Sequence, residues 1–474
     1  MLRYRLSAIA AAVAVLVGCV SSTPSPKVSA APPTAPQTSA RPGPALTDLG
    51  ACAGTSGFTC GKLRVPLDHT GRVPGTLDLA VAMADSATTP RGVLLVLSGG
   101  PGQPGVSLVN RIRNYLDPAV LREYRMVMLD QRGTGPAGIN CADLQTATGG
   151  SDFLTPPAEA VDACAAQLGA TRDFYGTPDT VRDIELLRLA LKAPQLSLDG
   201  VSYGTFSGAN YALAYPSRVR SLVLDSVVPF NGFDPFGTGE MAAARRILAD
   251  ACRTDPSCTT DPVADLAWLV RNGEIDGRPI DGPEFIEALA VLSLSFVNPS
   301  LKGVAQLLHD ARNGDTARLK ELFQQASSLG TPYDQLSAGL HLATFCSDLR
   351  FPWGTSAAPL AGRQAALNEA VSRLRPEDLY PYDVTTARSL LAIQGCLRWP
   401  PSRPSSYPKL QRLVVPTLIV HGDHDLFCPV EWAHWEYQHA ERAKLVIVRG
   451  GGHSSQSNRT DFTARNAVRD FLLR

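Results

Sequence analysis

The sequence predicts an α/β protein: a mostly parallel sheet flanked by helices, split by an inserted and mainly helical cap. Three observations carry this. Strand-like and helix-like segments alternate from Gly61 to Val228. Between 230 and 404 the alternation stops and helical periodicity takes over. Strand-like sequence then returns at Leu413–Val420 and Lys444–Val448. Strand, helix and strand in series favour parallel pairing through right-handed crossovers, so the two outer parts read as one sheet.

The elements follow in order. Leu77–Met83, Gly92–Leu97 and Arg125–Leu129 are short runs rich in Val, Leu and Met, and they read as strands. Thr177–Leu191 is an amphipathic helix, with Thr177 expected as its N-cap, Pro178 behind it and acids in the first turn. Gln195–Leu198 is a strand, Tyr203–Tyr215 an alanine-rich helix, and Val219–Leu224 a strand. In the insert, Pro283–Phe296 and Ala317–Ser328 are expected helices. The chain closes on an amphipathic helix over Asp461–Leu473.

The N-terminus has a different texture. Arg3 and Arg5 precede an uncharged stretch from Leu6 to Gly18, which is too short to span a bilayer but suits a signal peptide over residues 1–18. Leu16-Val17-Gly18-Cys19 resembles a bacterial lipobox, which makes Cys19 the expected lipidation site. Residues 19–44 are dominated by Ser, Thr, Pro and Ala and cannot bury enough surface to order themselves, so they read as a disordered tether. The expected place is the outer face of the bacterial cytoplasmic membrane, through a lipid anchor, or the secreted fraction. The core is then 45–229 plus 405–474, with the cap at 230–404.

The whole chain has 474 residues and balances 44 Lys and Arg against 44 Asp and Glu, so nothing points to nucleic acid as a partner. Export would favour disulfides among its cysteines. Sequence proximity suggests Cys52–Cys60, Cys252–Cys258, Cys141–Cys164 and Cys346–Cys396, which leaves Cys428 free. No C-x-x-C pair is present, and that weakens a zinc or redox reading.

The chemistry centres on Gly200-Val201-Ser202-Tyr203-Gly204-Thr205. In a chain with 40 glycines the G-x-S-x-G pattern alone means little, but here it sits between a strand and a helix. Such a turn lifts a serine hydroxyl clear of the sheet and aims helix N-terminal N–H groups at developing charge. Ser202 is the candidate nucleophile. Upstream, Ser98-Gly99-Gly100-Pro101-Gly102 follows a strand, so the N–H groups of Gly100 and Tyr203 are the candidate oxyanion hole. A phosphate loop would need a Lys-Ser/Thr or G-x-G-x-x-G signature, and neither is present. Downstream, His421-Gly422-Asp423-His424-Asp425 and Gly450-Gly451-Gly452-His453 end two strands, where open α/β sheets place their sites. His453 is the candidate base, and both Asp423 and Asp425 are available to orient it. The HGDHD run could alternatively bind a metal, but no second run of ligands accompanies it.

Taken together, GGPG, Asp130-Gln131-Arg132-Gly133-Thr134-Gly135, GVSYGT and the later Asp and His resemble α/β-hydrolases of the proline iminopeptidase and tripeptidyl aminopeptidase group, serine peptidase family S33. Thr344-Phe345-Cys346-Ser347-Asp348 and Gly395-Cys396-Leu397-Arg398-Trp399-Pro400 resemble paired cysteine motifs of its secreted tripeptidyl-aminopeptidase branch. The resemblance implies an α/β-hydrolase fold with a helical cap, no cofactor, peptide substrates, a monomer, and cleavage near free N-termini. The family spacing of three residues after the strand-ending glycine selects Asp425 over Asp423. A cap carboxylate would have to hold the substrate α-ammonium group. Glu240 is a candidate, with a solvated helix glutamate as its more ordinary reading. Two alternatives stand beside this one: an esterase or amidase with the same triad, and an envelope lipoprotein that binds ligands without catalysis.

Overall fold

The computed structural model describes residues 43–86, 89–327, 331–405 and 412–474. The leader, Cys19 and nearly all of the tether lie outside these residues. One nine-stranded sheet organises the rest, in the order β1-β2-β3-β5-β4-β6-β7-β10-β11. Its members are β1 (Leu46–Ala51), β2 (Phe58–Pro66), β3 (Thr76–Ala84), β4 (Val93–Leu97), β5 (Arg125–Leu129), β6 (Leu196–Val201), β7 (Val219–Asp225), β10 (Thr417–Gly422) and β11 (Ala443–Val448). A separate short hairpin pairs β8 (Glu274–Ile275) with β9 (Arg278–Pro279).

β1, β2 and β3 pair antiparallel, and β3 meets β5 antiparallel. From β5 through β4, β6, β7 and β10 to β11 every pairing is parallel. The central strands are buried on both faces: β4, β6, β7 and β10 are almost wholly enclosed. That matches their near-continuous Val/Leu/Ile runs and the helices covering each side.

Several elements differ from expectation for identifiable reasons. β1 and β2 fall outside the expected alternation; Gly, Thr and Lys interrupt them, and the Cys52–Cys60 disulfide closes their hairpin. The strand expected at Leu413–Val420 begins only at Thr417, because Pro416 offers no N–H to the ladder; its carbonyl accepts from Leu222. The helix expected over Pro283–Phe296 is Gly282–Leu292. Beyond it, Ser293 gives its carbonyl to His453 N–H at 2.9 Å, and Ser295 N–H donates to the His453 carbonyl at 3.0 Å. Thr177 is not the N-cap of its helix, which spans Thr177–Ala190 with Gly176 as N-cap. The Asp348 carboxylate accepts the Thr177 N–H at 3.2 Å, and the Thr177 hydroxyl turns to Tyr203 at 2.8 Å instead.

Among the described residues, ten helices and the small hairpin occupy the chain between β7 and β10, yet β7 and β10 are direct neighbours in the sheet. The insert therefore leaves at the C-terminal end of β7 and returns to the N-terminal end of β10, its parallel neighbour. Residues 43–474 form one compact unit. The helices Ala142–Thr148 and Ala158–Leu168, which precede β6, share one apolar cluster with the insert. Leu391 N–H donates to the Phe153 carbonyl across that junction at 3.1 Å. All four disulfides suggested by proximity are present, and Cys428 is a free, buried thiol.

Candidate active site

β6 runs straight into the turn that carries Ser202, whose backbone sits at φ 56°, ψ −128° ahead of the helix Tyr203–Ala214. A non-glycine residue at positive φ is strained and persists only where its surroundings enforce it. Here they do. A Cβ on Gly200 would lie 2.5 Å from the Gly204 carbonyl oxygen, and one on Gly204 would press on the Leu97 carbonyl. Both flanking glycines are thus sterically required. Ser202 N–H donates to the Asp225 carbonyl at 3.0 Å, tying the turn to the end of β7. Gly99 completes the approach: a Cβ there would meet Ser202 Cβ at 3.0 Å and Oγ at 3.3 Å.

Gly100 sits beside this serine at φ 102° with no room for a Cβ, which would meet Gly102 N at 2.7 Å. The cap shapes this loop. His341, on the helix Ala338–Asp348, donates from Nδ1 to the Pro101 carbonyl at 2.8 Å, and Ser337 N–H donates to the Gly102 carbonyl at 3.0 Å. Tyr203, the first residue of its helix, has its side chain clamped as well. Its hydroxyl donates to Asp348 and accepts from Thr177. The backbone N–H of Tyr203 is therefore fixed from both ends, and it belongs to a first turn whose N–H groups have no intrahelical acceptor.

β10 and β11 bring the remaining groups. The Asp425 carboxylate is fully enclosed and accepts from Phe427 N–H at 3.0 Å and Cys428 N–H at 2.9 Å, both on Oδ1. The Nδ1–H of His453 donates to the same carboxylate, 2.9 Å from Oδ2. Burial pushes the imidazolium down, but the adjacent carboxylate outweighs this and holds His453 above its usual range. Burial likewise pushes the Asp425 carboxyl up, and the histidine prevails to hold it below the usual carboxylate range. Asp423 does different work: it accepts the Gly450 N–H at 2.6 Å and pins the glycine loop before His453. That loop needs its glycines, since a Cβ on Gly452 would collide with the Ser293 carbonyl of the cap. Asp225 and Ser226 secure the other side, accepting N–H groups from Ser454, Ser455 and Gln456 at 2.8–2.9 Å.

The side chains of HGDHD disperse. His421 donates from Nε2 to the Cys428 carbonyl at 2.7 Å and accepts from Val227 N–H at Nδ1, so it is neutral, and burial holds it so. His424 pairs with Asp250 at 2.9 Å. Among the described residues the convergent potential ligands are instead Asp425, Cys428 and His453, whose ligand atoms lie within 4.8 Å of one another. The carboxylate of that group is already occupied by two N–H groups and the imidazole. Cys428 lies against Ser202, and burial pushes its thiol well up.

Ser202 and His453 line a common cavity of about 280 Å³. A smaller pocket of about 40 Å³ adjoins it behind Tyr203, sharing Gly100, Asp152 and Phe427 as walls. Phe153, Phe233, Phe345 and Trp432 enclose the smaller pocket, and Glu240 faces into it. The reading of Glu240 as a solvated helix residue is overturned. It is 5% exposed, its Oε2 has no hydrogen-bond partner, and burial pushes its carboxyl up to about 8. Asp152, which no sequence signal marked, lies on the wall between the two spaces with His341 Nε2 at 2.9 Å. The DQRGTG motif, in contrast, is architectural. Arg132 is fully buried and holds Asp183 through two bonds of 2.7 Å, together with the Leu67 and Phe174 carbonyls.

Fold and comparisons agree on the class. The family model described as alpha/beta hydrolase fold matches residues 92–255, and the one described as TAP-like protein matches residues 381–474. The chain has the α/β-hydrolase fold, and it is a serine hydrolase. Its likeness is to the tripeptidyl aminopeptidases. That of Streptomyces lividans is 29% identical over 459 residues, covering 87% of this chain and 81% of that one. The serine protease Hip1 of Mycobacterium tuberculosis is 24% identical over 500 residues, covering 94% and 91%. A probable proline iminopeptidase of Streptomyces coelicolor is 33% identical over 136 residues, 28% of this chain and 32% of that one.

Proposed function

We propose that this protein is an exported serine exopeptidase that cleaves peptides close to a free N-terminus through a Ser202–His453–Asp425 triad and an acyl-enzyme. Ser202 Oγ attacks the scissile carbonyl carbon as its proton passes to His453 Nε2. Asp425 keeps the imidazole in the Nδ1–H form and stabilises the imidazolium. The N–H groups of Gly100 and Tyr203 receive the oxyanion. The leaving amine departs with the proton from His453, and a water activated by the same histidine then hydrolyses the ester at Ser202.

One observation carries the exopeptidase reading: a small pocket beside the proposed oxyanion hole, lined by the buried Glu240, whose Oε2 has no hydrogen-bond partner. A buried carboxyl without a counter-charge stays protonated, and an arriving α-ammonium group supplies that charge. The names of the tripeptidyl aminopeptidase relatives support the same substrate class. Export is supported by the four disulfides, which persist in oxidising compartments. No described helix is long and apolar enough to cross a membrane. Anchoring through Cys19 rests on the N-terminal sequence alone.

The test is a set of peptide p-nitroanilides with free and acetylated N-termini. The free forms should be cleaved about 100-fold better in kcat/KM, the size expected for one buried ion pair. Glu240→Gln should raise KM for the free forms and close most of the gap. Equal cleavage of blocked and free peptides, or turnover of short acyl esters alone, would overturn the proposal.

A further inference from the structure

The two adjoining spaces differ in one respect: only the larger holds a cation. The smaller pocket is lined by the carboxylates of Asp152, Asp234 and Glu240. The larger cavity carries a cation, Arg111, on the helix Val109–Tyr115 that follows the Gly100 loop. Its guanidinium lies over the Phe296 ring, 4.5 Å from the centroid, a contact that positions the group without neutralising it. Two carboxylates, Asp152 and Glu287, also line this cavity. Asp152 lies 2.9 Å from His341, and Glu287 accepts from the Ser151 hydroxyl at 2.6 Å. Among the described residues no carboxylate pairs with Arg111. A positioned guanidinium without an ion-pair partner, in the cavity that also holds the reacting serine, matches a planar anion in bidentate geometry.

We propose that Arg111 forms a leaving-group subsite that binds a carboxylate on the departing fragment, which makes short zwitterionic peptides the preferred substrates. The inference rests on the exopeptidase reading, which assigns the carboxylate-lined pocket to the substrate N-terminus and leaves the larger cavity for the departing part. The carboxylate could be the C-terminus of a short peptide or an acidic side chain just beyond the scissile bond.

Matched peptides with a free N-terminus decide it, differing only in a C-terminal acid or amide, or in Asp or Asn directly after the scissile bond. Wild-type enzyme should cleave the favoured acid about tenfold better in kcat/KM than its uncharged partner, typical of one charge-assisted contact. The two pairs show which carboxylate is read. Arg111→Ala should bring the ratio close to one, Arg111→Lys should keep part of it, and Arg111→Glu should invert it. Arg111 is exposed on its helix, and fluorophosphonate labelling of each variant reports an assembled site. Equal rates for acid and uncharged partners in the wild type, or a preference that survives Arg111→Ala, would refute the subsite. A free-amine p-nitroanilide has no departing carboxylate: its failure to be cleaved would refute the exopeptidase reading instead.

Discussion

Replacing Asp425 by Asn should remove nearly all turnover and leave the fold intact. The reason lies in how the carboxylate is held. Oδ1 accepts two backbone N–H groups, from Phe427 at 3.0 Å and Cys428 at 2.9 Å. An asparagine keeps both only by placing its carbonyl oxygen there, which sends its NH₂ to the Oδ2 position, 2.9 Å from His453 Nδ1. Two donors would then face each other. The imidazole escapes by moving its proton to Nε2, the atom that must accept the Ser202 proton. The wrong tautomer has no lone pair for the reaction, and a change of this kind costs about 10⁴ in kcat, or about 5 kcal/mol of barrier. Asp423→Asn supplies the contrast, because its amide oxygen can still accept the Gly450 N–H, and kcat should stay within about threefold of wild type. Steady-state kinetics on one free-amine p-nitroanilide measures both variants, with circular dichroism to compare their folds. The reasoning fails if Asp423→Asn is the dead variant, or if a folded Asp425→Asn keeps more than about a tenth of the activity.

Further outcomes follow from the same geometry. The rise of kcat/KM with pH should have its midpoint above 6.5, because His453 is held above that value, and it should move down in Asp425→Asn, where the carboxylate that raises it is gone. Free-amine substrates should show an added maximum near 8, where Glu240 ionises before the substrate α-ammonium is lost, absent in Glu240→Gln; rate profiles from pH 5 to 10 check both. Asp348→Asn and Tyr203→Phe each loosen the clamp on the first turn of the Ser202 helix. Both should lower kcat several-fold with little change in KM, and the double variant should be no worse than the worse single one. Removing Cys346–Cys396, which spans 50 residues, should destabilise the protein by about 4 kcal/mol in denaturant unfolding.

The parts of the site written in contiguous motifs are legible in the sequence itself. Ser202 directly follows a buried strand, His453 lies in the loop after an edge strand, and glycines beside them announce tight backbone. The choice between Asp425 and Asp423 was not legible from the residues alone, since both follow β10 and only the fold decides which one faces the imidazole. Resemblance to a family spacing selected it. Glu240 could not be read as buried, because the walls that enclose it come from segments near 153, 233, 345 and 432. Asp152 and Arg111 carry no local signature for the same reason: their partners are distant in sequence. The antiparallel β1–β2 hairpin escaped because Gly and Thr break its alternation, and Pro416 moved the start of β10. Cys428 was identifiable as the unpaired thiol by counting, but its place against Ser202 comes only from the fold.

The most direct test of the central claim is to treat the folded protein with a fluorophosphonate and map the adduct by mass spectrometry. One equivalent on Ser202, prevented by a competing free-amine peptide and absent in His453→Ala on the same time scale, is the expected result. An adduct on another residue, or an unlabelled Ser202 in correctly folded protein, would contradict the assignment of Ser202 as the nucleophile.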